Sequence, residues 1–258
     1  MPRLTEGSDL LADLHRSMNY HLVPHLLSGR FSAASLNPSA FRHVAVFPRL
    51  GLAYNRVKKN ANSTVMSALY FLETGRIGRG RESKLGVPSL VTVSPMVLPR
   101  LRSLHYFAIV RNPYSRVLSA FLNKFAKQDY VERFGRFELN AEGFAHFVAW
   151  LERDGLDQDM HWDLQSKLLM TVTRQFDTVL HFESFPVKFT QFLASRDIAL
   201  PNQIQDILGS VNAASRTHAA QRLRDFYSPA VAGQVADLFR SDFDLLPYEV
   251  DFEKSIGS

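Results

Sequence analysis

The chain of 258 residues contains no cysteine. That excludes disulfides, thiolate metal sites and a cysteine nucleophile, and it is compatible with a reducing compartment. Long hydrophobic runs are missing too. No stretch approaches the roughly 18 apolar residues that a membrane span needs, and the start lacks the charged and apolar regions of a secretory leader. Acidic side chains are the minority, 25 against 30 Lys and Arg, which leaves a net charge of +5. That balance favours anionic partners in general. The glycine-rich phosphate loop G-x-x-x-x-G-K-[ST] is absent, which disfavours a standard ATP or GTP site. Internal repeats, Gly/Ser linkers and low-complexity segments are also missing.

What is present is an ordinary globular composition, 46% hydrophobic and 21% charged, with twenty Phe as core material. Residues 1–42 read as a peripheral segment with a helix near Asp9–Leu27, and 43–250 as the core of a single domain covering 1–258. Strand-like text begins at His43. Core strands are expected over Arg49–Val57, His105–Val110 and Thr178–Phe182, the last two buried, with a short strand at Leu90–Val93. Helical spacing predicts helices over Thr64–Thr74, Leu98–Leu104, Pro113 to about Lys127, Ala141–Arg153, Leu164–Val172, Val187–Ser195, Ala214–Phe226 and Pro229–Phe239. Strands alternating with helices imply an α/β fold with a parallel sheet between helices.

Two basic junctions about fifty residues apart carry the chemistry. The first is Lys58-Lys59-Asn60-Ala61-Asn62-Ser63-Thr64, after the apolar run that starts at Leu50. Its small and hydroxyl-bearing residues let an anionic group approach a helix N-terminus, where exposed amides and the helix dipole favour negative charge. An ordinary capped helix with surface lysines explains this segment alone equally well. At the second junction Arg111 closes a strand, and Arg116 and Ser119 share a face of the helix that follows. An arginine fork and a hydroxyl can hold one dianionic phosphate. Taken singly, Arg111 paired with an acidic residue and Ser119 packed in its helix is the simpler account. Both junctions in this order point to a ligand with phosphate groups at two ends.

These residues resemble the PAPS-dependent sulfotransferases of the carbohydrate branch (sulfotransferase family 2). Lys59-Asn-Ala61-Asn-Ser63 is similar to the family's Lys-x-Ala-x-[Ser/Thr]. Arg111-Asn-Pro113, Arg116, Ser119-Ala120 and Asn123-Lys124-Phe125 follow its second element. His161-Trp162 with Gln165, Phe182-Glu183, and Asp242-Phe243 with Leu246 and Tyr248 resemble later segments, so the likeness runs over about 46–250. The resemblance implies a P-loop-like three-layer fold with a central, mainly parallel sheet flanked by helices. It implies PAPS as donor, PAP as product and no required metal. Lys58, Lys59, Asn60, Ala61, Asn62, Ser63 and Thr64 would hold the 5′-phosphosulfate. Lys59 would neutralise the leaving oxygen, with Lys58 as the alternative. Arg111 and Ser119 would hold the 3′-phosphate, with Asn212, Ser215 and Arg216 closing over the nucleotide. His161 is the leading base, ahead of Glu183 and Asp163, although a His beside Trp162 also packs structurally in many proteins; His105 reads as the start of its strand.

The acceptor implied is a hydroxyl of a carbohydrate or glycan, met by variable segments 76–100 and 126–160, with Arg76, Arg79, Arg81, Lys127 and Arg133 facing an anionic glycan. Unlike animal members, the chain shows no membrane anchor and none of their cysteines, which implies a soluble bacterial, cytoplasmic enzyme. Nucleic acid is not an expected partner. A kinase-like phosphotransferase and a non-catalytic polyanion-binding module remain the competing readings.

Overall fold

A computed structural model describes residues 4–78, 80–213 and 217–257. Strands β1 (Val44–Phe47), β2 (Leu52–Asn55), β3 (His105–Val110) and β4 (Thr178–His181) form one sheet in the order β1-β2-β3-β4. β1 and β2 are antiparallel, with Phe47 opposite Leu52. Gly51, at φ 67°, makes the turn between them in a region that resists a side chain. β2 and β3 run parallel, from Leu52 opposite His105 to Asn55 opposite Ala108. Both read as near-continuous apolar text because both are buried along their length apart from His105. The result is the expected α/β architecture, a mostly parallel central sheet flanked by helices.

The chain divides into two compact units interleaved in sequence. The first comprises 1–56, 65–108 and 169–179, and the second 57–64, 109–168 and 180–258. The first unit holds most of the sheet, helix α1 (Leu4–Leu27), most of α2 (Asn62–Thr74) and the short α3 (Arg81–Leu85). The strand expected at Leu90–Val93 is a turn instead. The Ser89 N–H donates to Thr92 Oγ1 at 2.8 Å, a hydroxyl-closed turn that outcompetes the β-branched run, and Ser89 itself pairs with Ala45 as an isolated bridge. β4 is partly buried at every position, not the buried strand expected. The core strand expected over Arg49–Val57 contracts to β2.

The second unit holds α4 (Pro113–Lys124), α5 (Gln128–Phe134), α6 (Ala141–Trp150), α7 (Gln165–Leu168) and the C-terminal helices. α4 starts where Asn112 Oδ1 accepts the Tyr114 N–H at 2.9 Å and Pro113 occupies the first turn. Its Tyr114, Val117, Leu118 and Phe121 pack into one apolar cluster with Phe144, Phe147, Trp162, Phe226 and Val235. Burying each such side chain contributes about 1.5–3 kcal/mol. α7 is one turn where a longer helix was expected, because beyond it the Met170 N–H donates to the buried Asn55 Oδ1 at 2.7 Å. The helix Asn202–Ala213 was not anticipated, although Ile204, Ile207 and Leu208 carry helical spacing. Among the described residues no helix is long and apolar enough to cross a membrane.

Candidate active site

The second unit contains both basic junctions and the His-Trp segment. At the first junction the chain turns without a glycine. Lys59 and Ala61 adopt φ values of 71° and 56°, the left-handed region that side chains disfavour by about 1–2 kcal/mol each. Neighbours hold this turn. Asn60, fully buried, donates its amide to Ile109 O at 2.8 Å and to Gln165 Oε1 at 2.7 Å. The Lys58 carbonyl accepts from Arg116 Nε at 3.1 Å and the Lys59 carbonyl from Arg111 Nη1 at 2.8 Å. Left-handed residues just ahead of a helix N-terminus are the backbone form of an anion-binding concavity. Here α2 begins at Asn62, so Asn62, Ser63 and Thr64 occupy its first turn.

The Lys59 ammonium is pushed down to about 7, first by burial and then by Arg111, Lys124, Arg116 and Lys127. The charges that lower it are all cations, so a bound anion would favour its charged form. Lys124 is lowered to about 8, by burial and then by Lys127, and its ammonium sits 4.5 Å from the ring centroid of Tyr130.

At the second junction the arginines divide their tasks. Arg111 gives Nε to Ser115 Oγ at 2.9 Å and Nη1 to the Lys59 carbonyl, and its guanidinium lies 4.0 Å over the Phe182 ring. Burial lowers it to about 10, with Glu183 acting against the shift, so it stays cationic at neutral pH. Arg116 is fully buried and donates to the carbonyls of Lys58, Asp163 and Met160. It ties the Lys58 turn to the segment that carries Met160 and Asp163. Ser119, also buried, accepts from Thr217 Oγ1 at 3.2 Å.

Gln165 joins the two junctions. Its Oε1 accepts from Arg111 N at 3.0 Å and from Asn60, while its Nε2 donates to Arg111 O at 2.7 Å. The Asp242 carboxylate caps α7, accepting the N–H groups of Gln165 and Ser166 at 2.9 and 2.8 Å. Gln165→Ala leaves the buried Arg111 N–H and carbonyl without this partner, each costing about 1–3 kcal/mol, while the Asn60 amide keeps its bond to Ile109 O. Chemical denaturation of this variant is expected to show a loss of about 2–3 kcal/mol, and an unchanged midpoint would contradict the clamp.

His161 stands beside Trp162, which is fully buried and donates Nε1 to Gly155 O at 2.8 Å. Gly155 ends a π-helical turn (Leu151–Gly155) where any Cβ would meet the Trp150 ring at 2.5 Å. His161 Nδ1 lies 2.5 Å from Asp159 Oδ1, and Tyr130 donates its hydroxyl to Asp159 Oδ2 at 3.1 Å. Burial, with help from Lys124 and Lys58 and against Asp159, holds the imidazole down at about 4. Burial works against the Asp159 charge, but the hydrogen bonds from His161 and Tyr130 prevail and bring it to about 2. A neutral imidazole bonded to a carboxylate through Nδ1 leaves Nε2 as its proton acceptor.

The other candidate bases are already occupied. Glu183 accepts from Asn112 N at 2.9 Å and Tyr248 OH at 2.7 Å, and Asp163 caps Leu164 N at 2.8 Å. His105 bonds Thr178 Oγ1 at 2.8 Å in the first unit. Ser215 and Arg216, the Asn212 side chain, and Arg79 lie outside the described residues. Sequence reasoning gave no role to Asp159, Tyr130, Lys124 or Phe182. Asp159, two residues before His161, was the one legible hint.

Over residues 42–249 the chain matches the family described as the sulfotransferase family. No curated protein and no solved structure matches it.

Proposed function

The chain belongs to the sulfotransferase family, and from that premise we propose that it moves a sulfuryl group from PAPS to a hydroxyl of a carbohydrate acceptor. The observation that carries this reading is Lys59, held in a glycine-free anion turn where the charges that lower it are all cations. The turn Lys58–Thr64 fits a phosphosulfate at the N-terminus of α2. Arg111 keeps part of its fork uncommitted to the bonds it makes with Ser115 and Lys59, which together with Ser119 suits a 3′-phosphate. Arg216 is the further nucleotide ligand of this reading.

Sulfuryl transfer asks the protein for position and charge more than for covalent help, as phosphoryl transfer does. His161 Nε2 takes the proton of the acceptor hydroxyl. The acceptor oxygen forms its bond to sulfur while the bond from sulfur to the 5′-phosphate oxygen breaks. The electron pair stays on that oxygen, and Lys59 neutralises it. Because His161 is neutral above about pH 4, the base is ready at neutral pH, and the protonation of Lys59 limits the alkaline side.

Calorimetry with PAP, set against ATP with magnesium, tests this. PAP is expected to bind without metal, and its affinity to fall as pH rises above 7. The bound anion favours charged Lys59, so binding at pH 8 must take up a proton that the free protein lacks. Ser119→Ala is expected to weaken PAP about tenfold, the scale of one charge-assisted hydrogen bond. Failure of PAP to bind, or equal binding of magnesium ATP, would sink the reading. Labelled PAPS offered with neutral and anionic saccharides then identifies the acceptor.

A further inference from the structure

Tyr130 has no part in the reaction as written, yet it touches groups at both ends of it. Its hydroxyl donates to Asp159 Oδ2 at 3.1 Å and lies 3.2 Å from His161 Nδ1. Asp159 Oδ1 receives both the His161 backbone N–H, at 2.8 Å, and Nδ1. The face of the same phenol ring carries the Lys124 ammonium at 4.5 Å. Contacts with Phe125, Phe134 and Trp162, at centroid distances of 6.5, 5.8 and 6.1 Å, fix the ring itself. Asp159 is nearly closed to solvent, with 10% of its side chain exposed against 21% for His161.

We propose that Tyr130 is a positioning residue for both halves of the chemistry. Through Asp159 it fixes His161 with Nδ1 protonated and Nε2 open to the acceptor, and through its ring face it seats Lys124 at the anion turn. This inference rests on the sulfuryl-transfer reading, in which His161 is the base. An imidazole has two tautomers, and the hydrogen bond at one nitrogen decides which one is presented. A lysine sunk to 8% exposure needs a partner for its charge, and an aromatic face supplies one without neutralising it. After burial, the Lys124 charge is among the causes that lower both Lys59 and His161. The other charges bearing on Lys124 are Lys127, Asp159, Lys58 and Asp129, and those on Tyr130 are Asp159, Asp129 and Arg133.

Nitrogen NMR of the full chain, with the His161 signals assigned by their loss in His161→Ala, reads tautomer and titration without any acceptor. The wild type is expected to carry its proton on Nδ1. In Asp159→Asn that preference is lost, and the ring titrates lower because the carboxylate that favoured imidazolium is gone. Tyr130→Phe keeps the ring but removes a hydrogen bond that offset the Asp159 charge, so His161 is expected to titrate about half a unit to one unit higher. PAP affinity separates the second role. Tyr130→Phe should bind PAP within about twofold of wild type, whereas Tyr130→Leu, which unseats Lys124, should bind about tenfold more weakly. Unshifted tautomer and titration in Asp159→Asn and Tyr130→Phe would overturn the proposal, as would a PAP loss in Phe as large as in Leu. If Tyr130→Leu does not fold, the Phe and Asn variants still decide. A wild type that binds no PAP would instead defeat the sulfuryl-transfer reading, and the NMR outcome would stand apart from it.

Discussion

Lys59→Ala is expected to lower sulfuryl transfer about 10²–10³-fold while changing PAP affinity less than about tenfold. Charge builds on the leaving oxygen only as the sulfur–oxygen bond breaks, so a cation placed there stabilises the transition state more than the bound state. The split between rate and affinity is therefore the signature to measure, in single-turnover assays beside PAP titrations. A variant that keeps a tenth or more of the rate would remove Lys59 from the role. A second readout comes from stability. Burial and four neighbouring cations bring Lys59 from 10.5 down to about 7. Between those values the unfolded chain binds the proton more readily than the folded one, so wild-type stability rises with pH across that window. Lys59→Met lacks the titration. It is expected to melt about 2–4 °C above wild type at pH 6.5, the shift of about 1 kcal/mol in a chain of this size, and to lose the advantage near pH 10. A gain in stability together with a large loss of turnover is the result expected of a residue held for function rather than for the fold.

The strain in the Lys58–Asn62 turn was not legible in the sequence. Positive φ is announced by glycine, and this turn carries lysine and alanine there. What holds it is Asn60 bonded to Ile109 and Gln165, partners far along the chain, and no local pattern reports such bonds. The two junctions themselves were legible, because an apolar strand that ends in a cation and opens into a helix is a local signal. Which arginine is spent on several backbone carbonyls was not. Arg116 and Arg111 look alike in the sequence, and only the carbonyls of Lys58, Met160 and Asp163 around Arg116 set them apart. The same limit explains Thr178–His181. Its apolar text reads as a buried strand, but it stands at the end of the strand order and stays partly exposed. His161 was found through its neighbours in sequence. Tyr130, some thirty residues earlier, became visible only when the fold brought α5 against the Asp159 turn.

Arg116→Met is expected to cost about 3–5 kcal/mol of stability, the penalty for removing one member of a buried charged set. Arg116 is fully buried, and so is Asp242, the charge that does most to hold it cationic. Without the guanidinium the carbonyls of Lys58, Met160 and Asp163 lose their donor, and the Asp242 carboxylate keeps its bonds to Gln165 and Ser166 but loses its nearby cation. In thermal melts the midpoint should fall by roughly 10 °C. The pH dependence adds a check that a merely smaller core would not pass. Burial already raises Asp242 above its ordinary value, with Arg116 opposing. Removing Arg116 raises it further, so Asp242 destabilises the fold more as pH climbs through that higher value. The variant is therefore expected to lie closer to wild type at pH 5 than at pH 8. Arg116→Met combined with Asp242→Asn should recover part of the loss, because the two residues share one network and their effects are coupled. A single Arg116→Met variant within about 1 kcal/mol of wild type at pH 8 would show that the Lys58–Asn62 turn is held by Asn60 and Gln165 alone.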